Sequence, residues 1–399
     1  MFLFSVIACV GPNVQDDTGG DPLADCQDRS FQTDADMQAV VEGNAAFALD
    51  LYGELEEGNA FFSPLSISAA FGMTTAGTDG NTRQELLDVL HADIPEERWH
   101  AAFGTLLAEL EEDRGDCGVQ LAVANRLFGQ EGFAWESDFL ALASDDYHAP
   151  IEDLDFVGDP EGSRTYINDW VEDQTEGRIE DLLPEDSISD STRMVLANAI
   201  YFLANWQTQF DPELTATATW NPSGKEVQLM TMEAATFGMV WADSYKAIEL
   251  PYADGEQSMV IFLPHATDGL SSLELSPEEL VNLEFQEQEL SLLQVPRFEL
   301  LDDTNLMAPM MALGVVDAWS DVDADFTRLA AEPGLHIGGA FHKAFIAVDE
   351  VGTEAAAATA VVMNDESAGE FFIADHPFLF MIRDTRTNQV LFMGRVVDP

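Results

Sequence analysis

A run of four alanines directly after a predicted β-strand constrains this chain more than any other feature. The strand covers residues 341–349, Gly352 interrupts the pattern, and the alanines occupy residues 355–358. Composition alone favours an Ala-rich helix or a flexible loop. With the two-residue period of a strand, however, one face carries only small or β-branched, uncharged side chains. These belong to Thr353, Ala355, Ala357, Thr359 and Val361.

Such a face could enter a sheet without burying a charge, whereas Glu354 would point to the opposite side. Residues 350–362 are therefore compatible with two states, an exposed loop and a central strand. Conflict between local preference and fold is typical of segments whose function requires two states.

The rest of the chain predicts one large mixed domain over residues 37–399, without internal repeats. Apolar spacing and capping residues predict helices over residues 39–55, from Ser63-Pro64 onward, and over 82–90 (capped by Asn81), 99–111 and 162–174. Strands are predicted over residues 120–128, 194–203, 245–250, 258–263, 290–300 and 341–349, followed by a hairpin over 378–382 and 389–396. Early helices and late strands indicate an α+β domain.

The charge balance excludes several kinds of partner. Lys and Arg total 16 against 74 Asp and Glu, which gives a formal net charge of −58. A surface this acidic repels nucleic acid, heparin-like polyanions and anionic lipid headgroups. The excess indicates either a solvated face that maintains solubility or adaptation to a salty medium, in which ions screen the repulsion.

The N-terminus predicts export. An apolar run at residues 2–8 precedes Cys9, and Val6-Ile7-Ala8-Cys9 resembles a bacterial lipobox, whose cysteine is lipidated in the mature protein. Residues 10–36 have the composition of a flexible, acidic tether. We expect a signal segment over residues 1–9 and a surface-anchored bacterial lipoprotein, or otherwise a secreted or periplasmic protein. Because no basic residue precedes the apolar run, an ordinary secretory signal or a start without function stays open.

Two further cysteines, Cys26 and Cys117, either form a disulfide in an exported protein or remain free thiols. Neither lies in a CxxC redox motif or a zinc-site pattern, and we expect no metal or cofactor. The chain also lacks the G-x-S-x-G, H-E-x-x-H and Walker motifs. An enzyme is therefore not predicted, although a Ser, His and Asp set scattered along the sequence stays open.

Several motifs, taken in order, resemble those of the serpin family of serine protease inhibitors. The central match is residues 350–359 (EVGTEAAAAT), which resembles the hinge of inhibitory serpins and is named the hinge segment below. Further matches start at Phe61 (FFSPLSI), Asn198 (NAIYF, followed by Trp206), Pro296 (PRF), Phe341 (FHKA), Asp375 (DHPFLF) and Leu391 (LFMGRV). Each motif alone is weak, but the ordered set with the hinge is specific to the family.

This resemblance implies three β-sheets, about eight or nine helices, and an exposed reactive-centre loop at residues 350–374. It also implies a monomeric suicide inhibitor of an extracellular serine protease. The protease would attack the loop and form an acyl-enzyme, and the cut loop would insert into the main sheet. Residues 350–366 extend over roughly 55 Å, about the diameter of such a domain, so the loop could carry the protease to the opposite pole. The implied insertion residues, after Glu350, are Gly352, Thr353, Glu354, Ala355, Ala356, Ala357, Ala358 and Thr359.

The bait bond is located by family spacing alone. Counting from the hinge segment, and back from Pro377, places Glu366 before the cut and Ser367 after it. An acidic residue there implies a target with a basic specificity pocket, such as a glutamyl endopeptidase-like enzyme. Cleavage after Met363 or Val362 stays open and would suit subtilisin- or elastase-like enzymes.

Other residues match positions that control opening of the main sheet in serpins. A polar cluster whose hydrogen bonds rearrange as strands part would consist of Ser63, Ser66, Asn198 and His342. At the loop entrance, the breach, Glu350 and Arg297 match a charge pair beside Trp206.

Two alternatives to a serine protease inhibitor remain: a serpin-fold surface lipoprotein that does not inhibit, and an inhibitor of a cysteine protease. One activity of the family is not expected. Residues 96–116, which match a basic region of heparin-regulated serpins, are acidic overall here, so activation by a polyanion is not predicted.

Overall fold

A computed structural model describes residues 33–110, 119–332, 334–353 and 370–399, without the side chains of residues 120–125 and 198. Hinge residues from Glu354 onward and the predicted bait bond lie outside these ranges. Within them the chain forms eight α-helices: α1 (Ala35–Glu54), α2 (Pro64–Ala76), α3 (Gly80–Val89), α4 (Glu96–Leu110), α5 (Ser137–Asp145), α6 (Pro160–Gln174), α7 (Pro277–Val281) and α8 (Met307–Leu313).

Side-chain caps begin several of these helices. The Asp34 carboxylate accepts the first free N–H groups of α1, and the Ser63 hydroxyl accepts the Ser66 N–H of α2 at 3.1 Å. The predicted cap of α3 is wrong, because the Asp79 carboxylate accepts the Gly80 N–H instead. Asn81 already lies inside that helix, and its side chain binds Glu85 and Asp317.

The described residues contain fifteen strands. They are β1 (Ala60–Phe62), β2 (Val119–Gln130), β3 (Ile151–Leu154), β4 (Met194–Asn205), β5 (Ala216–Thr219), β6 (Glu226–Trp241), β7 (Tyr245–Pro251), β8 (Gln257–Pro264), β9 (Gln286–Pro296), β10 (Phe298–Asn305), β11 (Phe341–Val348), β12 (Gly352–Thr353), β13 (Glu370–Ile373), β14 (Phe378–Asp384) and β15 (Val390–Val396).

These strands build a six-stranded and a nine-stranded sheet. The first has the order β10-β11-β12-β4-β2-β3, and the second has the order β1-β15-β14-β8-β7-β6-β9-β13, with β5 paired to β6. The ladder between β6 and β9 skips one pair at Ala234, whose φ is +51°. Before Ala234, β6 pairs with β5, and after it β6 pairs with β7, so the nine-stranded sheet consists of two parts. The expected three-sheet α+β fold is therefore confirmed.

One predicted strand is wrong in its extent. Residues 290–300 form the end of β9 and the start of β10, which belong to different sheets and meet at Arg297. The Arg297 N–H donates to the Gln228 carbonyl at 2.9 Å just where the chain leaves the nine-stranded sheet. An apolar pattern continues through this point, since both strands border the same core, and so it hides the change of sheet.

Helix α2 forms the floor beneath the six-stranded sheet. All thirteen of its residues are buried, and the helix packs against β4 and β15. A smaller apolar cluster covers the opposite face of the sheet, where Phe128 and Ala199 meet Ile167 and Val171 of α6. The six-stranded sheet therefore lies between two apolar layers, and a strand added to it would be buried on both faces. No helix in the described ranges is long and apolar enough to cross a membrane.

Candidate functional site

Strands β11 and β4 are joined at one level of the six-stranded sheet and separated at another. They pair in parallel only at Lys343 with Ala199, Ala344 with Ile200 and Phe345 with Tyr201. Towards the C-terminal end of β11, the two-residue strand β12 lies between them. Its Thr353 pairs antiparallel with Val348 of β11 and with Ala204 of β4. The first residues of the hinge segment thus occupy the position of a central strand.

Close approach of the backbone explains the glycine at position 352. A Cβ atom added to Gly352 would lie 2.1 Å from the Ala204 carbonyl oxygen, which is far inside van der Waals contact. Because that neighbour is backbone and cannot turn aside, only glycine fits the gap between the strands.

The side chain of Thr353 faces the protein interior. It is fully buried, and its hydroxyl lies 2.8 Å from the Tyr252 hydroxyl. Trp206 stacks on Tyr252 with ring centroids 4.7 Å apart, and the Trp206 indole N–H donates to the Asp349 carbonyl at 2.9 Å. The tryptophan therefore supports both the turn before the hinge and the tyrosine beneath it.

An Asx turn at Asp349 reverses the chain between β11 and β12. The Asp349 Oδ1 atom accepts the N–H groups of Val351 and Gly352, at 2.8 and 3.2 Å. The Asp349 N–H donates to the Gly352 carbonyl at 3.0 Å. These three bonds fix the direction in which the hinge segment enters the sheet. Asp three residues before Gly is a visible turn signal that sequence reasoning passed over.

Glu350 is buried beside the turn and holds a charge pair. Its carboxylate accepts a hydrogen bond from Arg297 Nε at 2.7 Å and another from the Thr215 hydroxyl. Burial raises the pKa of the Glu350 carboxyl, but the hydrogen bonds from Arg297 and Thr215 outweigh it and lower the pKa below its usual value. The Phe210 N–H also donates to the Glu350 carbonyl, so Glu350 is bound through both its backbone and its side chain.

The predicted polar cluster lies where β11 meets the start of α2. The Ser63 N–H donates to His342 Nε2 at 3.2 Å, and the Ser63 hydroxyl donates to the Leu391 carbonyl at 2.7 Å while accepting the Ser66 N–H. His342 is fully buried, and this burial lowers its pKa to about 4. Its Nδ1 atom has no hydrogen-bond partner among the described residues. Asn198 lies on the neighbouring strand β4, but its side chain is outside those described.

A cavity of about 650 Å³ opens at the end of the sheet away from Thr353. It lies beneath the start of β4 and the residues that lead into β11. Apolar walls come from α2, from β4, from the first residue of β11 and from the loops around them: Ile67, Phe71, Leu196, Phe326, Leu335 and Phe341.

Several predicted site residues fall outside the described ranges and remain predictions. They are Cys9, Cys26, Cys117, the hinge residues Glu354, Ala355, Ala356, Ala357, Ala358 and Thr359, and the bait bond Glu366–Ser367. Sequence reasoning also missed two residues that bind the hinge, Thr215 and Tyr252, which lie more than a hundred positions away along the chain.

Comparison with known proteins places this geometry in a family. The family model "Serpin (serine protease inhibitor)" matches residues 42–399. Serpin B3 of Homo sapiens is 35% identical over 393 residues, and leukocyte elastase inhibitor of Sus scrofa is 38% identical over 385; each match covers 91% of this chain and all of the relative. The structure of uncleaved ovalbumin has a TM-score of 0.81 at 29% identity and covers 90% of this chain and all of its own. The chain therefore belongs to the serpin family.

Proposed function

We propose that this protein is a suicide inhibitor of a serine protease and that its reactive-centre loop inserts between β11 and β4 after cleavage. The observation that carries the proposal is the position of Thr353. This residue is paired with both strands in the uncut chain, so the first residue pairs of the inserted strand are already formed.

The register in which Thr353 pairs with β11 and β4 supports insertion of a long segment. Continued one residue at a time, the ladder would align Thr359 with Asn198 on one side and His342 on the other. It would align Met363 with Met194, the first residue of β4. About ten further residues would thus pair with β4 before the strand ends.

Side-chain direction supports the same proposal. Because Thr353 faces the interior, Ala355, Ala357, Thr359 and Val361 would face it too. None of them carries a charge or a bulky ring, which suits the packed floor formed by α2. Glu354 would lie on the opposite face, toward the side that α6 covers.

The balance of contacts also favours insertion. The three parallel pairs between β11 and β4 would open, and a new strand would pair on both of its sides. Each backbone hydrogen bond contributes about 0.5–1.5 kcal/mol net, so the gain exceeds the loss several-fold. Val361 would align with Leu196 and Ala340, two residues that line the cavity, and would bury apolar surface there.

The proposed bait bond is Glu366–Ser367, as family spacing implies. The purified protein should be incubated with a panel of serine proteases that includes a glutamyl endopeptidase. An inhibitor gives a complex that survives denaturing detergent, and a protease variant lacking its catalytic serine gives none. Rapid cleavage without such a complex would favour the non-inhibitory alternative. Mass-spectrometric mapping of the released peptide tests the bond, since a cut after Met363 would contradict the Glu366 assignment.

We also propose that the protein is exported and anchored through Cys9. The lipobox-like residues before Cys9 and the tether-like composition of residues 10–36 support this. Metabolic labelling with a fatty-acid analogue tests it: the wild type should incorporate the label and Cys9→Ser should not. Equal labelling of both proteins would contradict the anchor.

A further inference from the structure

The cavity between the start of β4 and the residues leading into β11 has the size of a ligand site. Its volume of about 650 Å³ lies within the range of about 300–1,000 Å³ that is usual for small-molecule pockets. Phe71 of α2, Leu196 of β4, Phe326 and Leu335 give it apolar walls. Strand β11 pairs with β4 only from Ala199 onward, so the two sides of the cavity stay apart. An apolar chain can therefore enter between them.

Arg193, which immediately precedes β4, brings a positive charge to this apolar cavity. Its Nη1 atom donates to the Asp190 and Thr192 carbonyls, both at 3.0 Å. Among the described residues, no group accepts from its Nε and Nη2 atoms and no acid forms an ion pair with it. This is unexpected in a chain with 74 acidic residues against 16 Lys and Arg. Two adjacent guanidinium N–H groups bind a carboxylate through two parallel hydrogen bonds.

A second polar group of the cavity is the Ser187 hydroxyl. Its oxygen is buried and has no hydrogen-bond partner in the described part of the chain. Buried hydroxyl groups are ordinarily hydrogen-bonded, so this one is available to the polar end of a ligand. Ser187 and Arg193 both belong to the connection between α6 and β4, and both line the cavity.

We infer that this cavity binds an amphipathic monocarboxylate of the fatty-acid class. The apolar chain lies against Phe71 and Leu196, and the carboxylate binds the Nε and Nη2 atoms of Arg193. Asp321 and Glu332 also line the cavity, but both are exposed, so water and salt weaken their repulsion. These two acids disfavour a second negative charge on the ligand.

The net charge of the protein opposes such a ligand everywhere except beside a local cation. A net charge of −58 attracts cationic amphipaths and repels anionic ones. Nonspecific adsorption therefore favours an alkylamine over a carboxylate of equal chain length. A preference for the carboxylate requires a specific cationic group such as Arg193.

The test is isothermal titration calorimetry of the full chain in about 0.15 M NaCl. The ligands are decanoate, decan-1-ol and decylamine, each below its micellar concentration. We expect saturable binding of decanoate and weaker binding of the other two. Hexanoate should bind at least tenfold more weakly than decanoate, since each buried methylene group contributes about fourfold. Decanoate should also raise the thermal midpoint, because it binds the folded protein.

Three variants locate the ligand. Arg193→Gln should weaken decanoate binding about tenfold or more and leave decan-1-ol binding unchanged. Arg98→Gln is the matched control, because Arg98 is an exposed arginine of α4 that does not line the cavity, and it should bind decanoate like the wild type. Ala340→Phe places a ring on the cavity wall and should prevent binding of both ligands. If thermal unfolding shows that Ala340→Phe does not fold, Leu196→Phe narrows the same cavity from β4.

Each contrary result overturns a stated part of the inference. Equal affinities for the three ten-carbon ligands, or tighter binding of decylamine, would overturn the carboxylate assignment. An unchanged affinity for decanoate in Arg193→Gln would remove Arg193 from the site. Absence of saturable decanoate binding to the wild type would overturn the site itself.

A consequence for inhibition rests on the proposed function. The cavity lies between the two strands that insertion would separate, so a bound ligand occupies space that a new strand needs. Decanoate should therefore lower the fraction of protease encounters that end in a covalent complex, and should do so less in Arg193→Gln. A fraction that decanoate does not change would overturn this influence and leave the site intact. If the wild type forms no covalent complex even without decanoate, the proposed function fails, and calorimetry still decides the site.

Discussion

The hydroxyl groups of Tyr252 and Thr353 lie 2.8 Å apart in a fully buried contact beneath the start of the hinge segment. Burial raises the pKa of the Tyr252 phenol well above its usual value, so the tyrosine stays neutral at any pH in ordinary use. The contact thus joins the hinge segment to the residue that follows β7, and a change of protonation of the tyrosine does not alter it.

Tyr252→Phe should release this anchor. The substitution leaves the buried Thr353 hydroxyl without its partner, which costs about 1–3 kcal/mol. Thr353→Val removes the same bond from the other side. The changes in the free energy of unfolding, obtained from the thermal midpoints of the wild type, the two single variants and the double variant, should give a coupling energy near 1 kcal/mol. Strictly additive effects would show that the two hydroxyls do not stabilise each other.

Under the proposed function, Thr353→Arg should turn the protein from an inhibitor into a substrate. The position is fully buried between two strands and faces the Tyr252 hydroxyl, so a guanidinium placed there would lose its hydration. We expect complete cleavage by the target protease with little or no detergent-stable complex. Glu354→Arg is the matched control, because in the proposed inserted strand residue 354 would lie on the opposite face, and it should still form complexes. Complex formation by Thr353→Arg would contradict insertion in this register.

Glu350→Gln should lower the stability of the protein most at neutral pH. The folded-state pKa of Glu350 is lowered, so its contribution is complete above its ordinary value near 4.5 and is lost as the pH falls through the folded-state value. We expect the variant to lose roughly 1 kcal/mol at pH 7, and the difference from wild type to shrink below about pH 4.5. Thermal midpoints of dilute samples across this range measure the difference. A constant difference would rule out the carboxylate charge as the cause.

His342 should make the protein sensitive to acid. Its pKa is about 4 in the fold, below the ordinary value, so the neutral form is preferred and stability falls as the pH drops from about 6.5 towards 4. The full effect is about 3 kcal/mol. His342→Gln should remove the part of the acid sensitivity that comes from this residue. His100 is also buried, with a pKa lowered to about 4 chiefly by burial, and lies on helix α4. His100→Gln should reduce the acid sensitivity similarly without altering complex formation.

Salt should raise the thermal midpoint if the acidic surface is an adaptation to a salty medium. At a net charge of −58, self-repulsion is strong at low ionic strength and is screened within about 3 Å at 1 M salt. We expect most of the rise below about 0.5 M NaCl, where screening acts, and a shallow further rise from salting-out. A midpoint that does not change between about 0.05 and 0.5 M would favour the simpler interpretation, a solvated face.

The sequence predicted correctly those elements whose signals lie within a few residues of one another. Ser63-Pro64 begins α2 as predicted because a cap and a first-turn proline act within four residues. The error at Asn81 arose because Asp79, two residues earlier, is an equally good cap and only the entering backbone decides between them. The long strand β6 was not predicted, since Ala234 and Gly238 interrupt its pattern.

Contacts between distant residues were beyond any local signal. The pairing of Arg297 with Glu350 was expected only because the sequence resembles serpins, and the contacts of Thr215 and Tyr252 with the hinge were not expected at all. These contacts depend on where the sheets meet, which periodicity does not specify.

The three parallel residue pairs between β11 and β4 have a consequence for the rate of insertion. Insertion through it would resemble branch migration in nucleic acids, in which an invading strand replaces an existing partner one step at a time. At each step the pairs lost by Phe345, Ala344 and Lys343 would be exchanged for pairs with the incoming strand, so the sheet never has to open completely. The slow step would then be the first separation of β11 from β4. Thr353 already lies between the two strands where they separate. The rate of insertion would therefore depend mainly on when the loop is cut.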